Sequence, residues 1–307
     1  MSLHQNSGHW RLGLTLSLIT VLLWGILPIA LALIMRSLDI YTVIWFRFLV
    51  SFVLLASYLG VRGELPKLRQ LDSTAGKLLA IAAIMLTANY FLFMQGVALT
   101  SPANAEVLIQ LATLLLGLGG LVIFHERYTP QQWFGVGVLI CGYIVFFREQ
   151  LANLITAQGT YIFGSGLIVL AAAVWAIYAL AQKQLLQSLS SPHIMMMIYG
   201  ESAILLTPLA KPGAIFQLNG FDLGILIFCG INTLIAYGAF AESLEHWEAS
   251  RVSAVLALAP IVTLISVELV AIFTPTLIPP ENITLISILG AGLVVAGSMA
   301  IALKQRK

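Results

Sequence analysis

Ten stretches of this 307-residue chain are apolar enough, and most are long enough, to cross hydrocarbon as helices, which takes roughly 20 mostly apolar residues apiece. They cover 12–35, 40–61, 77–99, 102–124, 131–147, 160–181, 192–209, 221–241, 252–276 and 283–303. A lipid interior offers no water to a backbone N–H or C=O, so each run must satisfy its own peptide groups as a helix. Composition leaves little choice of solvent. Residues are 60% hydrophobic and 9% charged, with a mean hydropathy of +0.98, whereas a soluble surface needs roughly 25% charge. The expected fold is an all-α membrane protein of ten transmembrane helices, joined by connections too short to hold a soluble domain.

Charge sets the expected orientation, because Lys and Arg collect on the cytoplasmic side. With the N-terminus inside, the inner segments hold Arg11, Arg62, Lys67, Arg69, Lys77, Arg127, Lys183, Arg251, Lys304, Arg306 and Lys307. The outer loops hold Arg36, Arg148 and Lys211, and Arg47 lies inside a span. Both termini are therefore expected in the cytoplasm, most naturally at a bacterial inner membrane. The first run, from Leu12, continues without a small-residue cleavage site and reads as a span, not a removable signal. Cys141 and Cys229 both lie in apolar runs without metal or redox spacing and read as small core residues. A net charge of +2 with no basic run among aromatics gives no sign of a nucleic-acid partner.

The chain repeats itself. At an offset of 151, "WGILPIA" from Trp24 lies over "WAIYALA" from Trp175, and "RSLD" from Arg36 over "QSLS" from Gln187. At 147, Tyr90, Phe93, Leu111 and Ala112 fall on Tyr237, Phe240, Leu258 and Ala259. At 155, Glu126, Gly135, Gly137 and Gly142 fall on Glu281, Gly290, Gly292 and Gly297. Three ordered blocks at nearly constant offset point to a duplicated five-helix unit, 1–150 and 151–307, with an insertion before the last helix. Five is odd, so the second copy enters the membrane from the opposite side. Two inverted five-helix repeats are a common transporter architecture, with substrate held near the midplane between units that rock to expose it alternately.

The same residues carry a family resemblance. "LWGILPIA" in the first helix, "WFRFLV" in the second, "SPANAEVLIQLATLLLGL" and "FHERYTPQQWFGVGVLICG" across the fourth and fifth recur as "ASRVSAVLALAPIVTLI" and "GAGLVVAG" in the second half. Over nearly its whole length the chain resembles the EamA-type members of the drug/metabolite transporter superfamily. The resemblance implies a carrier, typically an exporter of amino acids or other small metabolites, with a central cavity between the repeats. Two departures stand out. The proline common in that family's fourth helix is Thr113 here, although its counterpart Pro260 is present, and the segment around Pro275, Pro279 and Pro280 is atypical.

An ionisable group in a span costs roughly 2.5–3.5 kcal/mol on insertion scales and so marks a candidate site. Arg47, Glu106 and Glu201 are the three candidates. Arg47 stands against Ile198 at offset 151, and Glu201 is one turn further along that helix. One reading has Arg47 orient a substrate carboxylate while Glu201 meets an amine or carries a coupling proton; the other has Arg47 pin its helix or snorkel to the headgroups. Glu106, one turn past Ser101-Pro102, either gains from the helix dipole or lines the outer mouth with Gln110. Asn89, Tyr90, Asn232 and Tyr237 offer hydrogen bonds near the midplane, although such contacts in membranes average only about 0.6 kcal/mol and serve equally as glue. Trp24 and Trp175, with Tyr178 one turn on, form either an aromatic wall or a packing seam.

Other motifs read as structural. G-x-G-x(4)-G in helices five and ten suits close helix packing, lacking the strand and acidic partner of a dinucleotide site. Glu126 and Arg127 read as a solvated or inter-loop ion pair, "ESLEHWEASR" (Glu242 to Arg251) as a solvated connection or, less readily, a gate at the inner mouth, and "NIT" at Asn282 as a weak sequon. With no phosphate-binding loop, H-E-x-x-H or nucleophile elbow, the expectation is not an enzyme and not ATP-driven: no cofactor, no metal, a small-molecule substrate, the bilayer, and transport that is either downhill or coupled to a proton through a buried carboxylate such as Glu201. Multidrug efflux is the alternative, favoured if Arg47 faces away from the cavity; a membrane-embedded enzyme, or a channel, for which no charge ring or carbonyl filter is legible, ranks below both.

Overall fold

The computed structural model describes residues 7–66, 73–100, 105, 108–148, 159–273 and 284–302. Eleven helices are fully bounded among them: α1 (Trp10–Ile34), α2 (Ile40–Arg62), α3 (Ser73–Leu99), α4 (Leu111–Ile123), α5 (Pro130–Phe146), α6 (Thr160–Leu185), α7 (Ser191–Leu206), α8 (Gly220–His246), α9 (Ala249–Leu256), α10 (Ala259–Phe273) and α11 (Leu285–Ala302). A 3₁₀ turn, Pro212–Gln217, joins α7 to α8.

Among the described residues, six helical segments are long and apolar enough to cross a membrane: α1, α2, α3, α6, α8 and the joined α9–α10 segment, Ala249–Val270. The others are shorter, α7 having 16 residues. The ninth expected span is broken in two. Pro260, lacking an N–H and standing at the second position of α10, lets α9 end at Leu256 and the chain restart at Ala259. Its counterpart in the first half breaks at Gln110, just before α4, where Thr113 replaces the proline and its hydroxyl donates to the Gln110 carbonyl at 2.8 Å.

Local chemistry starts and stops the helices where the apolar runs do. Asp39 caps α2, accepting the Thr42 N–H at 3.1 Å and hydroxyl at 2.7 Å, and Gly63 closes it at φ +69°. Thr129 and Gln132 form a reciprocal capping box around Pro130 at the start of α5, and Asn219 caps α8.

The packing is two-fold. α3 packs on α6 as α1 packs on α8; α3 meets α7 as α8 meets α2; α4 meets α6 as α10 meets α1. α2–α7 and α5–α11 each pair with their own counterpart. These are the contacts of two inverted five-span repeats. The glycine stripes form the α5–α11 seam: a Cβ at Gly142 would lie 2.6 Å from the Val294 nitrogen, and one at Gly297 2.5 Å from the Leu139 nitrogen. Gly137 and Gly292, the middle glycines of each motif, meet nothing within 4 Å. Phe134, Val122, Ile204 and Ile272 are exposed, as an apolar belt in lipid requires.

Both ends of the described chain meet on one face, here the near face. Ser7 bonds His246 at 2.7 Å and Arg251 donates to the Ala302 carbonyl at 3.2 Å. α1 ends and α2 begins at the opposite, far face.

Candidate transport cavity

A cavity of about 200 Å³ occupies the centre of the bundle. Its lining descends α1 from Met35 near the far face through Leu31 and Leu27 to Trp24, where it stops. The rest of the wall comes from α3, from α4 with the helix break before it, and from α10 beside α1, and the inner limit is Trp24, Trp175 and Tyr237. The cavity thus takes up the far half of the bundle.

The inner limit is an aromatic plug, packed from both repeats. Trp24 lies 5.7 Å from Trp175, 5.1 Å from Tyr237 and 5.6 Å from Phe240 between ring centroids. Trp175 meets Phe240 at 5.2 Å, and Tyr90 meets Tyr237 at 5.9 Å. Edge-on and tilted pairs at these separations add about 0.5–1.5 kcal/mol each beyond their buried area. Tyr178, wholly buried, packs beneath Tyr237 at 6.1 Å with its hydroxyl directed at the Met195 sulfur at 3.7 Å.

Arg47 forms part of the cavity wall and is only 2% exposed. Its Nε donates to Thr233 Oγ1 at 2.9 Å, its Nη2 donates to the Tyr90 hydroxyl at 3.2 Å, and its guanidinium lies 4.6 Å from the Tyr90 ring centroid. Thr233 is itself braced, donating to the Cys229 carbonyl at 2.8 Å. Among the described residues no carboxylate pairs with Arg47, and these two bonds use two of the five N–H donors a guanidinium carries. The cation is held in place by neutral groups and retains donors.

The remaining candidates divide. Asn89 lines the cavity and donates to the Ala171 carbonyl at 2.9 Å, tying α3 to α6. Asn232 makes the equivalent tie from α8 to α1, donating to Leu23 at 2.9 Å, and lies outside the lining. Gln110, at the helix break, lines the cavity and accepts from the Tyr143 hydroxyl at 3.1 Å. The same hydroxyl lies 2.8 Å from the Ala257 carbonyl, so one tyrosine of α5 bridges both broken spans. Glu201 is half-buried on α7 and is not in the lining, nor is Tyr178. Glu106 lies outside the described residues, as do Lys67, Arg69, Lys304, Arg306, Lys307, Pro275, Pro279, Pro280, Glu281 and Asn282.

Below the plug the near half is closed, and here two sequence readings need correction. Glu126 is not in a solvated pair with Arg127. It accepts from Lys183 Nζ at 2.9 Å and from the Ala249 and Ser250 amides at 2.8 and 3.0 Å, capping α9 of the other repeat. Burial alone would raise this carboxyl, but the Lys183 ammonium and the hydrogen bonds from Ser250 outweigh it, holding its pKa below the ordinary value. Nor is the Glu242–Arg251 segment a plain solvated connection. Trp247 within it is 3% exposed and packs on Gly13, where a Cβ would come within 2.6 Å of the tryptophan's own Cβ. Thr233, Phe240, Gln182 and Lys183 were not among the expected site residues. Phe240 had a sequence signal, its repeat match to Phe93.

Inverted repeats enclosing a cavity that reaches from the midplane into one half of the bundle, with the other half packed by side chains, are the architecture of a membrane transporter. The comparisons agree. The EamA-like transporter family model matches residues 11–148 and again 162–303. The uncharacterized inner membrane transporter YhbE of Escherichia coli K12 is 37% identical over 296 residues, covering 96% of this chain and 92% of that one. An uncharacterized transporter of Haemophilus influenzae is 33% identical over 295 residues, covering 96% of each. A probable amino-acid metabolite efflux pump of Salmonella typhimurium is 25% identical over 209 residues, covering 63% of this chain and 64% of that one. A crystal structure at 16% identity superposes with a TM-score of 0.72, covering 94% of this chain and 96% of its own, and carries the fold alone. This chain belongs to the EamA-like transporter family and is a multi-pass integral membrane protein.

Proposed function

We propose that the chain is a secondary carrier that exports small carboxylated metabolites, amino acids or close relatives, from the cytoplasm by alternating access. The observation that carries this reading is Arg47. A guanidinium in the wall of a half-open cavity, braced by Thr233 and Tyr90 and facing no acid among the described residues, is suited to grip a carboxylate in a bidentate fork. The aromatic plug beside it would receive the apolar part of such a ligand. The name borne by the Salmonella relative, an amino-acid metabolite efflux pump, points the same way.

In this reading the near face, where both ends of the described chain lie, is cytoplasmic, in line with the Lys and Arg distribution. The units 1–150 and 151–307 are the rocking bodies. Downhill exchange or proton coupling would drive the cycle, with Glu201, the half-buried carboxylate of α7, the acid to test as proton carrier. Cationic-drug efflux is the second reading, favoured by the aromatic plug alone. Arg47 on the same wall repels a cation, which is why the first reading leads.

The test is uptake into proteoliposomes of amino acids, sugar phosphates and cationic drugs, with and without a pH gradient. Wild type should take up a carboxylate, and Arg47→Ala should lose it while remaining monodisperse in detergent. Uptake of a cationic drug that survives or improves in Arg47→Ala would install the second reading instead.

A further inference from the structure

One stripe of α6 and its C-terminal cap is occupied by Trp175, Tyr178, Ala179, Gln182, Lys183 and Leu186, spaced as a helix face. It begins at the aromatic plug and runs to the near face. Four of these side chains, from Tyr178 to Lys183, are 0–1% exposed. Two have no apolar reason to be there. Gln182 is 0% exposed, and neither its Oε1 nor its Nε2 has a hydrogen-bond partner among the described residues. Buried amides are normally satisfied, so this arrangement costs free energy in the conformation seen. Lys183 Nζ is held by Glu126 at 2.9 Å and the Trp247 carbonyl at 3.5 Å, over the Phe124 ring at 5.0 Å.

The repeat says what the stripe is for. Subtracting 151 places Trp175, Tyr178, Ala179, Gln182, Lys183 and Leu186 on Trp24, Leu27, Pro28, Leu31, Ala32 and Met35. All six of those first-repeat residues line the far-half cavity. When inverted repeats exchange conformations, each takes up the role of its twin, and the α6 stripe becomes the wall of the cavity on the other side.

Resting on the carrier reading above, we propose that Gln182 and Lys183 are substrate-contacting residues of a second, near-face vestibule, which takes an anionic group once Glu126 has released Lys183. The two half-paths then differ in chemistry. The far half presents leucine, leucine and alanine where the near half presents tyrosine, glutamine and lysine. A carboxylate entering from the near side meets Lys183 and Gln182 first, then Arg47 at the midplane, and leaves over an apolar wall that does not retain it. Glu126 is the latch: in the closed state it neutralises the lysine and caps α9, joining the end of α4 to the second repeat through both.

The experiment needs no knowledge of the substrate. In a chain with Cys141 and Cys229 replaced by Ala, the single-cysteine variants Gln182→Cys and Leu31→Cys are titrated with membrane-impermeant methanethiosulfonates, one bearing a sulfonate and one a trimethylammonium. Reagent is applied to right-side-out and inverted vesicles in turn. The Gln182→Cys thiol should react from the side opposite to that which reaches the Leu31→Cys thiol. Adding Glu126→Gln should raise the Gln182→Cys rate by about tenfold while the Leu31→Cys rate falls, the signature of a shifted two-state population. The rate ratio of sulfonate to trimethylammonium at the Gln182→Cys thiol should then drop several-fold when Lys183→Gln is added to Glu126→Gln. If Glu126→Gln does not fold, the otherwise native Gln182→Cys chain still must label from the near side and not the far side. Labelling of Gln182→Cys from the far side, none from either, or a charge ratio indifferent to Lys183 would overturn the proposal. Uptake by the parent protein would leave the carrier reading standing in each of those cases.

Discussion

Thr233→Val is the substitution that isolates how Arg47 is aimed. Valine keeps the volume of threonine, so α8 packs as before, but the acceptor 2.9 Å from Arg47 Nε disappears. Thr233 is wholly buried, and the valine methyl would fill the place of the lost oxygen. A buried donor left unsatisfied costs about 1–3 kcal/mol; the guanidinium will turn to recover a partner and abandon the cavity-facing orientation. The remaining bond, to the Tyr90 hydroxyl at 3.2 Å, and the cation–π contact keep the side chain in the neighbourhood without fixing its plane. Coupling energies of about 1–3 kcal/mol correspond to roughly 5–150-fold in affinity. The half-saturation concentration for the carboxylated substrate should rise by that factor in proteoliposome uptake. Thr20→Val is the control, since Thr20 is equally buried and its hydroxyl bonds the Ala236 carbonyl at 3.2 Å, away from Arg47. Equal half-saturation in wild type and Thr233→Val would refute the claim that Thr233 positions the cation.

Other outcomes follow from the same geometry. Glu201→Gln should leave exchange without a pH gradient intact and abolish acceleration by one, because Glu201 lies off the cavity; loss of both would make it a substrate ligand. Gly297→Ala should lower the melting temperature in detergent by an overpacking cost of about 1–3 kcal/mol, since its Cβ would lie 2.5 Å from a backbone nitrogen. Gly292→Ala, with nothing within 4 Å, should leave it unchanged. The Glu126 carboxyl titrates below its ordinary value in the folded protein, so its stabilising contribution is complete above the ordinary carboxylate pKa and is lost as pH falls through the folded value. Melting curves against pH should show that acid-side loss in wild type and not in Glu126→Gln.

Much of the fold is legible because hydrocarbon tolerates so few solutions. The run read at 160–181 becomes α6 at Thr160–Leu185, and that at 221–241 becomes α8 at Gly220–His246. The break between Leu256 and Ala259 hides within an unbroken apolar run; Pro260 is its only trace. The paired tryptophans, Tyr90 and Tyr237 could be brought together on paper because the repeat aligns their depths. Glu201 shows the limit of that method. Offset fixes depth, but which face of α7 looks inward is decided by packing against α2, where Gly200 lets Phe52 approach a hypothetical Cβ to 2.9 Å. The Glu126–Lys183 pair was illegible for a different reason. Its members are 57 positions apart in different repeats, and a charge at the end of an apolar run looks solvated until the opposite repeat closes over it.

Trans-stimulation separates a carrier from a pore. With radiolabelled substrate outside, proteoliposomes preloaded with the same carboxylated metabolite should take up label faster than empty ones, and Arg47→Ala should abolish the difference. A single site reached from one side at a time requires that result. Uptake indifferent to internal substrate, or saturating on neither side, would contradict alternating access through this cavity.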